Sequence, residues 1–162
     1  MKYYKIAKYN YNSDNYLFEW TSAEMAIEKG LETEYLSIEK EYLQVACNFF
    51  YLNSEVIFSD FQSYQENLER IKKIKSLENK NLALDSFVIP NLNTKITNIL
   101  DYMFLMQSSL RGLNWSLFTN NENYICGGDD YYYLIGIGDN VDIQDVIKGT
   151  KLFYYTWHNI FL

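Results

Sequence analysis

Residues that usually carry chemistry are scarce in this chain of 162 residues, which holds two cysteines, one histidine and one proline. Cys47 and Cys126 stand far apart, and neither lies in a CxxC or CxxH arrangement. That argues against a disulfide framework and a zinc site and fits a reducing cytosol. His158 has no histidine partner in a recognisable motif and lies among Tyr154, Tyr155, Trp157 and Phe161, so a packed imidazole is expected rather than a triad or HExxH member. Long apolar runs are missing too: the best, Met103 to Met106 and Tyr131 to Ile137, fall far short of the ~20 residues that cross a bilayer. Lys2, Lys5 and Lys8 have no uninterrupted apolar stretch behind them, so the start lacks a secretory core. A soluble, cytoplasmic protein without membrane contact or cofactor is expected.

Aromatic residues are abundant, with sixteen tyrosines and an aromatic share of 18%. Tyrosine joins a large apolar body to a polar tip, which suits both a core and a surface that becomes dry in a complex. The chain is also acidic, with a formal net charge of −7. Residues 1–60 carry 5 cations against 10 carboxylates and residues 101–162 carry 3 against 7, whereas residues 61–100 reverse the balance with 6 against 4. Such a surface disfavours phosphate contacts with nucleic acid and steers a basic partner inward. Arg70, Lys72, Lys73 and Lys75 form the basic exception; without aromatic or glycine-rich companions they fit a solvated helix face.

The length suits one domain, 1–162, and one ordinary core. Lys2–Tyr9 and Tyr16–Trp20 read as strands joined by the turn-forming stretch Asn10–Asn15, which predicts a hairpin. Thr21 and Glu24 match a capping box that opens a short helix ending near Gly30. Tyr35, Ile38, Tyr42, Val45, Phe49 and Leu52 step by threes and fours and predict a long buried helix. Ser54–Ser59 reads as a strand, and Phe61, Tyr64, Leu68, Ile71, Ile74 and Leu77 as a second amphipathic helix. A connection containing Pro90 follows, then a third helix from Ile96 to Leu110 that stops near Gly112. Beyond Leu113 come four strand candidates and a short helix at Val141–Ile147. The expected fold is α+β, with central helices packed on an antiparallel sheet formed by N- and C-terminal strands.

One motif offers chemistry. Gly127, Gly128, Asp129 and Asp130 fall between two predicted strands, where a tight turn would expose two carboxylates able to hold Mg²⁺. The run Tyr124 to Ile135 resembles the signature hairpin of GGDEF-type nucleotide cyclases and of the palm domain in CRISPR-associated polymerases. The resemblance implies a Mg-dependent nucleotidyl enzyme using the Gly127–Asp130 turn, with Asp129 and Asp130 as metal ligands. A two-metal site needs a further carboxylate from a neighbouring strand, for which Asp60 is the supplier in view. The second acid and the lysine that those families place nearby are missing, and glycine and aspartate are also favoured in hairpin turns for conformational reasons alone. The residues therefore point to a chain without catalytic, metal or cofactor residues.

An interaction protein accounts for more of the chain. Glu122, Asp129, Asp130, Asp139, Asp142 and Asp145 share its last third with Tyr124, Tyr131, Tyr132, Tyr133, Tyr154, Tyr155 and Trp157. Carboxylates speed encounter with a basic partner, and buried aromatic anchors slow dissociation. In size, charge, cysteine poverty and absent catalytic motifs the chain resembles a bacterial immunity protein of a polymorphic toxin system. That resemblance implies a non-catalytic inhibitor of a cytosol-acting toxin effector; a phage-encoded inhibitor of a host nuclease would have the same character. The partner-binding residues expected are Glu122, Asp129, Asp130, Tyr131, Tyr133, Asp139 and Asp142, facing a basic toxin or nuclease domain. The amino-terminal acids Glu28, Glu32, Glu34, Glu39 and Glu41 are the competing placement.

Overall fold

The computed structural model describes residues 1–13, 19–63, 89–120, 122–128 and 131–159. In chain order these form β1 (Lys2–Ala7), α1 (Ala23–Glu28), α2 (Glu32–Leu52), β2 (Ile57–Ser63), β3 (Thr94–Lys95), α3 (Ile99–Leu110), β4 (Asn114–Thr119), β5 (Tyr124–Gly128), β6 (Tyr132–Ile137), α4 (Ile143–Val146) and β7 (Phe153–Thr156). The seven strands make one sheet in the order β3-β2-β4-β5-β6-β1-β7. Every pairing is antiparallel. The α+β class is as expected, and β1 indeed lies between the carboxyl-terminal strands β6 and β7. Among the described residues no helix is long and apolar enough to cross a membrane.

Side-chain alternation divides the sheet into two faces. Ile6, Phe58, Phe118, Ile125, Tyr133, Ile135 and Ile137 join Tyr35, Tyr42, Val45, Phe49, Tyr102 and Leu105 of α2 and α3 in the main core. The opposite face carries a smaller cluster of Leu117, Tyr124 and Cys126, with Tyr3, Trp115 and Leu134 packed on it. Gly127 is needed where α3 meets the sheet, since a Cβ there would lie 1.9 Å from Ser109 Oγ.

Local signals set the helix ends. Ser22 Oγ accepts from Met25 N and caps α1, one residue later than the Thr21 box implies, and Gly30 follows at φ +70. Asn98 caps α3 by accepting from Leu100 N, and Gly112 closes it at φ +68. The buried positions of α2 are Tyr35, Glu39, Tyr42, Val45, Ala46 and Phe49.

Three expectations change. β1 has β6 on one side and β7 on the other, which leaves neither side for a hairpin with Tyr16–Trp20; residues 14–18 lie outside the described residues. β2 runs on to Ser63 and takes Phe61 into the sheet, because Phe61 packs on Phe58 with ring centroids 5.9 Å apart. The rest of the expected second amphipathic helix, with Arg70, Lys72, Lys73 and Lys75, lies outside the described residues. His158 is exposed and stacks on exposed Trp157 with centroids 4.9 Å apart, rather than sitting in a core.

Candidate functional site

The seven residues expected to bind a partner do not form one patch. Glu122 follows β4, and Asp139 and Asp142 follow β6, so these three share one end of the sheet. Gly128 and Tyr131, which flank the remaining acids, stand at the opposite ends of the same strands. Asp129 and Asp130 lie outside the described residues.

Tyr131 and Tyr133 are core residues, 2% and 0% exposed, which corrects their assignment as contact residues. Strand parity turns Tyr133 toward the helices, where its ring meets Tyr42 at 5.2 Å. Tyr131 adopts φ +57, unusual for a side chain with a Cβ. Its ring is held among Trp20, Tyr35 and Tyr42 at 5.0, 5.1 and 5.0 Å, contacts that offset the backbone cost. The Tyr42 hydroxyl ties this region together, accepting from Lys8 N and donating to Tyr131 O, both at 2.8 Å.

The motif at Gly127 also changes meaning. Gly127 and Gly128 belong to β5 rather than to the turn, and the close approach of Ser109 explains Gly127 without any bound phosphate or metal. The strands flanking the β5–β6 pair are β4 and β1, and neither contains a carboxylate. Asp60 is on β2, with β4 between it and β5, which corrects its placement as a neighbouring-strand ligand. Its Oδ1 accepts from Phe61 N at 2.7 Å beside the β2 bulge. Among the described residues no group of three or more His, Cys, Asp or Glu side chains is placed to hold a metal ion. Burial pushes the Cys126 thiol up to about 12, so it is not poised as a nucleophile.

What the structure does assemble is an acidic end. Lys2, Tyr4, Asp139, Asp142, Ile143 and Asp145 line a shallow groove of about 320 Å³. Asn140 continues it into two further grooves, where Glu122 lines both and Glu55 lines one. Glu55 pairs with Lys95 at 3.4 Å. Glu122, Asp139, Asp142 and Asp145 form no ion pair among the described residues.

An asparagine triad fixes the loops that carry these acids. Asn53 Oδ1 accepts from the side chains of Asn120 and Asn123, while its own amide donates to Phe49 O at the end of α2. Asn123 Oδ1 accepts from Gly138 N at 2.7 Å, and Asn120 Oδ1 accepts from Glu122 N at 2.9 Å and Asn123 N at 2.7 Å. Helix α2, the β4–β5 connection and the end of β6 are thereby bonded to one another. Asp142 has a structural duty besides, since its carboxylate caps α4 by accepting from Gln144 N at 2.9 Å.

The competing amino-terminal acids are differently employed. Glu39 is buried and receives Arg111 Nε and Nη2 at 2.7 and 2.9 Å, Gln107 Nε2 at 2.8 Å and the Tyr35 hydroxyl at 3.1 Å. Burial alone would lower the Arg111 pKa, but the hydrogen bonds and charge of Glu39 outweigh it and the value rises. Glu34 accepts from Trp20 Nε1 and Glu41 from Lys151 N. The sequence carried a sign of the buried pair: Glu39 is four residues from Tyr35 and three from Tyr42, inside the apolar stripe of α2.

No family model matches the chain, and no curated protein or solved structure matches it either.

Proposed function

We propose that the protein is a non-catalytic inhibitor of the immunity-protein kind, which captures a basic, cytosol-acting toxin or nuclease domain on its acidic end. The observation that carries this reading is the group of four carboxylates, Glu122, Asp139, Asp142 and Asp145, without ion pairs among the described residues, carried by the β4–β5 connection and by the segment from the end of β6 into α4, with the asparagine triad bonding the first of these to the end of β6. Fixed acids steer a basic partner and need little ordering when it docks. The interface lies on the edges of the three grooves around Asn140, and the buried tyrosines of the core do not touch the partner.

The test is to search the genes flanking this one for a basic toxin or nuclease domain and to measure association kinetics with that domain; flanking genes without one would count against the reading. Glu122→Gln, Asp139→Asn, Asp142→Asn and Asp145→Asn combined should lower kon about tenfold at low salt and flatten its salt dependence. Asparagine at 142 preserves the cap of α4, so stability should hold. Unchanged rates would reject the acidic end as the interface. Turnover of nucleotides with Mg²⁺, lost on Asp129→Asn or Asp130→Asn, would overturn the inhibitor reading altogether.

A further inference from the structure

The two edges of the sheet are guarded very differently. β3 is two residues long and carries Lys95, paired with Glu55. β7 has the sequence Phe-Tyr-Tyr-Thr, with no charge, proline or bulge to discourage pairing. Exposed apolar side chains gather on it and just beyond its end: Phe153 and Tyr154 of β7 and the following Trp157 are 39%, 38% and 39% exposed.

The ladder shows which backbone groups are left unpaired among the described residues. Trp157 N donates to Tyr3 O at 2.8 Å, and in an antiparallel pair the bonded residues alternate. Phe153, Tyr155 and Trp157 therefore turn their amides and carbonyls toward β1. Tyr154 and Thr156 turn theirs to the open edge. The side chains there are already ordered, since Tyr154 Oη accepts from Gln144 Nε2 at 2.7 Å and Tyr155 Oη donates to Tyr9 O at 2.8 Å.

We infer that β7 pairs antiparallel with β7 of a second copy of this chain, joining two sheets into one across a twofold axis. A register with Tyr154 opposite Thr156 of the second copy uses all the outward backbone groups of both strands in four hydrogen bonds. The same register sets exposed Phe153 opposite Trp157 of the second copy, on the face away from the helices, and Tyr155 opposite itself. Its charges agree as well: Lys151 falls opposite Asn159, and the two Lys151 side chains lie at opposite ends of the joint. The acidic end repels a like-charged copy, whereas this neutral edge does not. An isologous joint needs a self-complementary strand, and the Phe153/Trp157 pairing supplies it.

Sedimentation equilibrium on the full chain tests the inference, over about 1 to 300 μM, a range that reports micromolar association. The weight-average mass should climb from monomer toward twice that value. Thr156→Pro removes an amide that faces the open edge and spares the bonds to β1, and Trp157→Lys sets a charge against Phe153 of the second copy; each should weaken association at least about tenfold. Tyr155→Cys, in a Cys47→Ser background, should form an intermolecular disulfide on mild oxidation, because facing residues of a non-bonded pair stand about 4.5 Å apart. A chain that stays monomeric throughout overturns the proposal, as does a dimer indifferent to both edge variants. A monomeric chain whose toxin complex is lost in Trp157→Lys would also overturn it, by giving the edge to a strand of that other protein.

Discussion

Tyr131, Tyr132 and Tyr133 are adjacent in sequence, yet they serve two different regions. Tyr133 and Tyr131 enter the helix-covered core, where Tyr35, Tyr42 and Tyr102 are also buried. Tyr132 takes the other face, where Lys5 Nζ lies 4.0 Å from its ring centroid and 5.2 and 5.1 Å from those of Tyr11 and Trp157. On the first face the rings exclude water, so each hydroxyl needs a partner inside: those of Tyr35 and Tyr42 have one, while those of Tyr102, Tyr131 and Tyr133 have none among the described residues. On the second, Tyr132 stays half-buried and the Lys5 ammonium lies against the rings. Residue type does not distinguish these uses; the parity of the strand and the presence of α2 and α3 do.

The comparison is sharpest at the buried ion pair, where the largest effect is expected. Glu39→Ala strands a buried guanidinium and should cost about 3–5 kcal/mol in denaturant unfolding. Glu39→Met with Arg111→Met should recover most of that loss, because replacing both charges removes the desolvation cost along with the pair. A double variant as unstable as the single one would show that the network, not the charge, is what the core requires.

Cavity formation comes next. Tyr133→Ala, like Phe49→Ala on the buried face of α2, should cost about 3–5 kcal/mol, whereas Tyr132→Ala should cost about 1 kcal/mol through lost cation–π and packing contacts. Equal losses at 132 and 133 would break the division of the two faces.

Alkaline pH should act through the covered face. Burial raises the phenol pKa of Tyr35, Tyr42, Tyr102, Tyr131 and Tyr133 well above the usual 10.0. In the unfolded chain these phenols ionise near pH 10 while the folded state still holds their protons. Their contribution is therefore fully present below about pH 10 and is lost as pH rises toward the folded values. Lys8 runs the other way: burial lowers its pKa from 10.5, so its effect on stability improves as pH rises through the window below that value. Five phenols outweigh one amine, and cooperative unfolding should set in above pH 10 in a circular-dichroism titration. A protein indifferent to pH up to about 12 would contradict the burial of these rings.

The smallest effect is also the most discriminating. The Tyr133 hydroxyl is buried and has no hydrogen-bond partner among the described residues. Tyr133→Phe should then be neutral within about 0.5 kcal/mol or slightly stabilising, since only an unsatisfied polar atom is removed. A loss above about 1 kcal/mol would mean that this hydroxyl is bonded in solution.

Much of the fold was legible in advance. The stripe on α2, the stop signals at Gly30 and Gly112 and the strands beyond Leu113 are local signals with local causes, and the structure has them. The candidate site was legible only in part. Sequence groups Glu122, Asp139 and Asp142 only as acids of the last third, and it is the structure that gathers them at one end of the sheet, while Tyr131 and Tyr133 belong to the core and not to the surface expected for them. The asparagine triad left no trace, since Asn53, Asn120 and Asn123 read individually as turn residues.

What the sequence by itself determined is the charge, the paucity of catalytic residue types, the α+β class and the periodicity of the main helices, all of which depend on composition or on neighbours a few residues apart. Tertiary structure alone decided which strands became neighbours, and so which face each tyrosine took. It inserted β4 between Asp60 and the Gly127 strand, brought Arg111 to Glu39, and left β7 rather than β1 at the open edge. Those outcomes rest on contacts between residues distant in sequence, whose net balance of burial against desolvation is struck only when the whole sheet is formed.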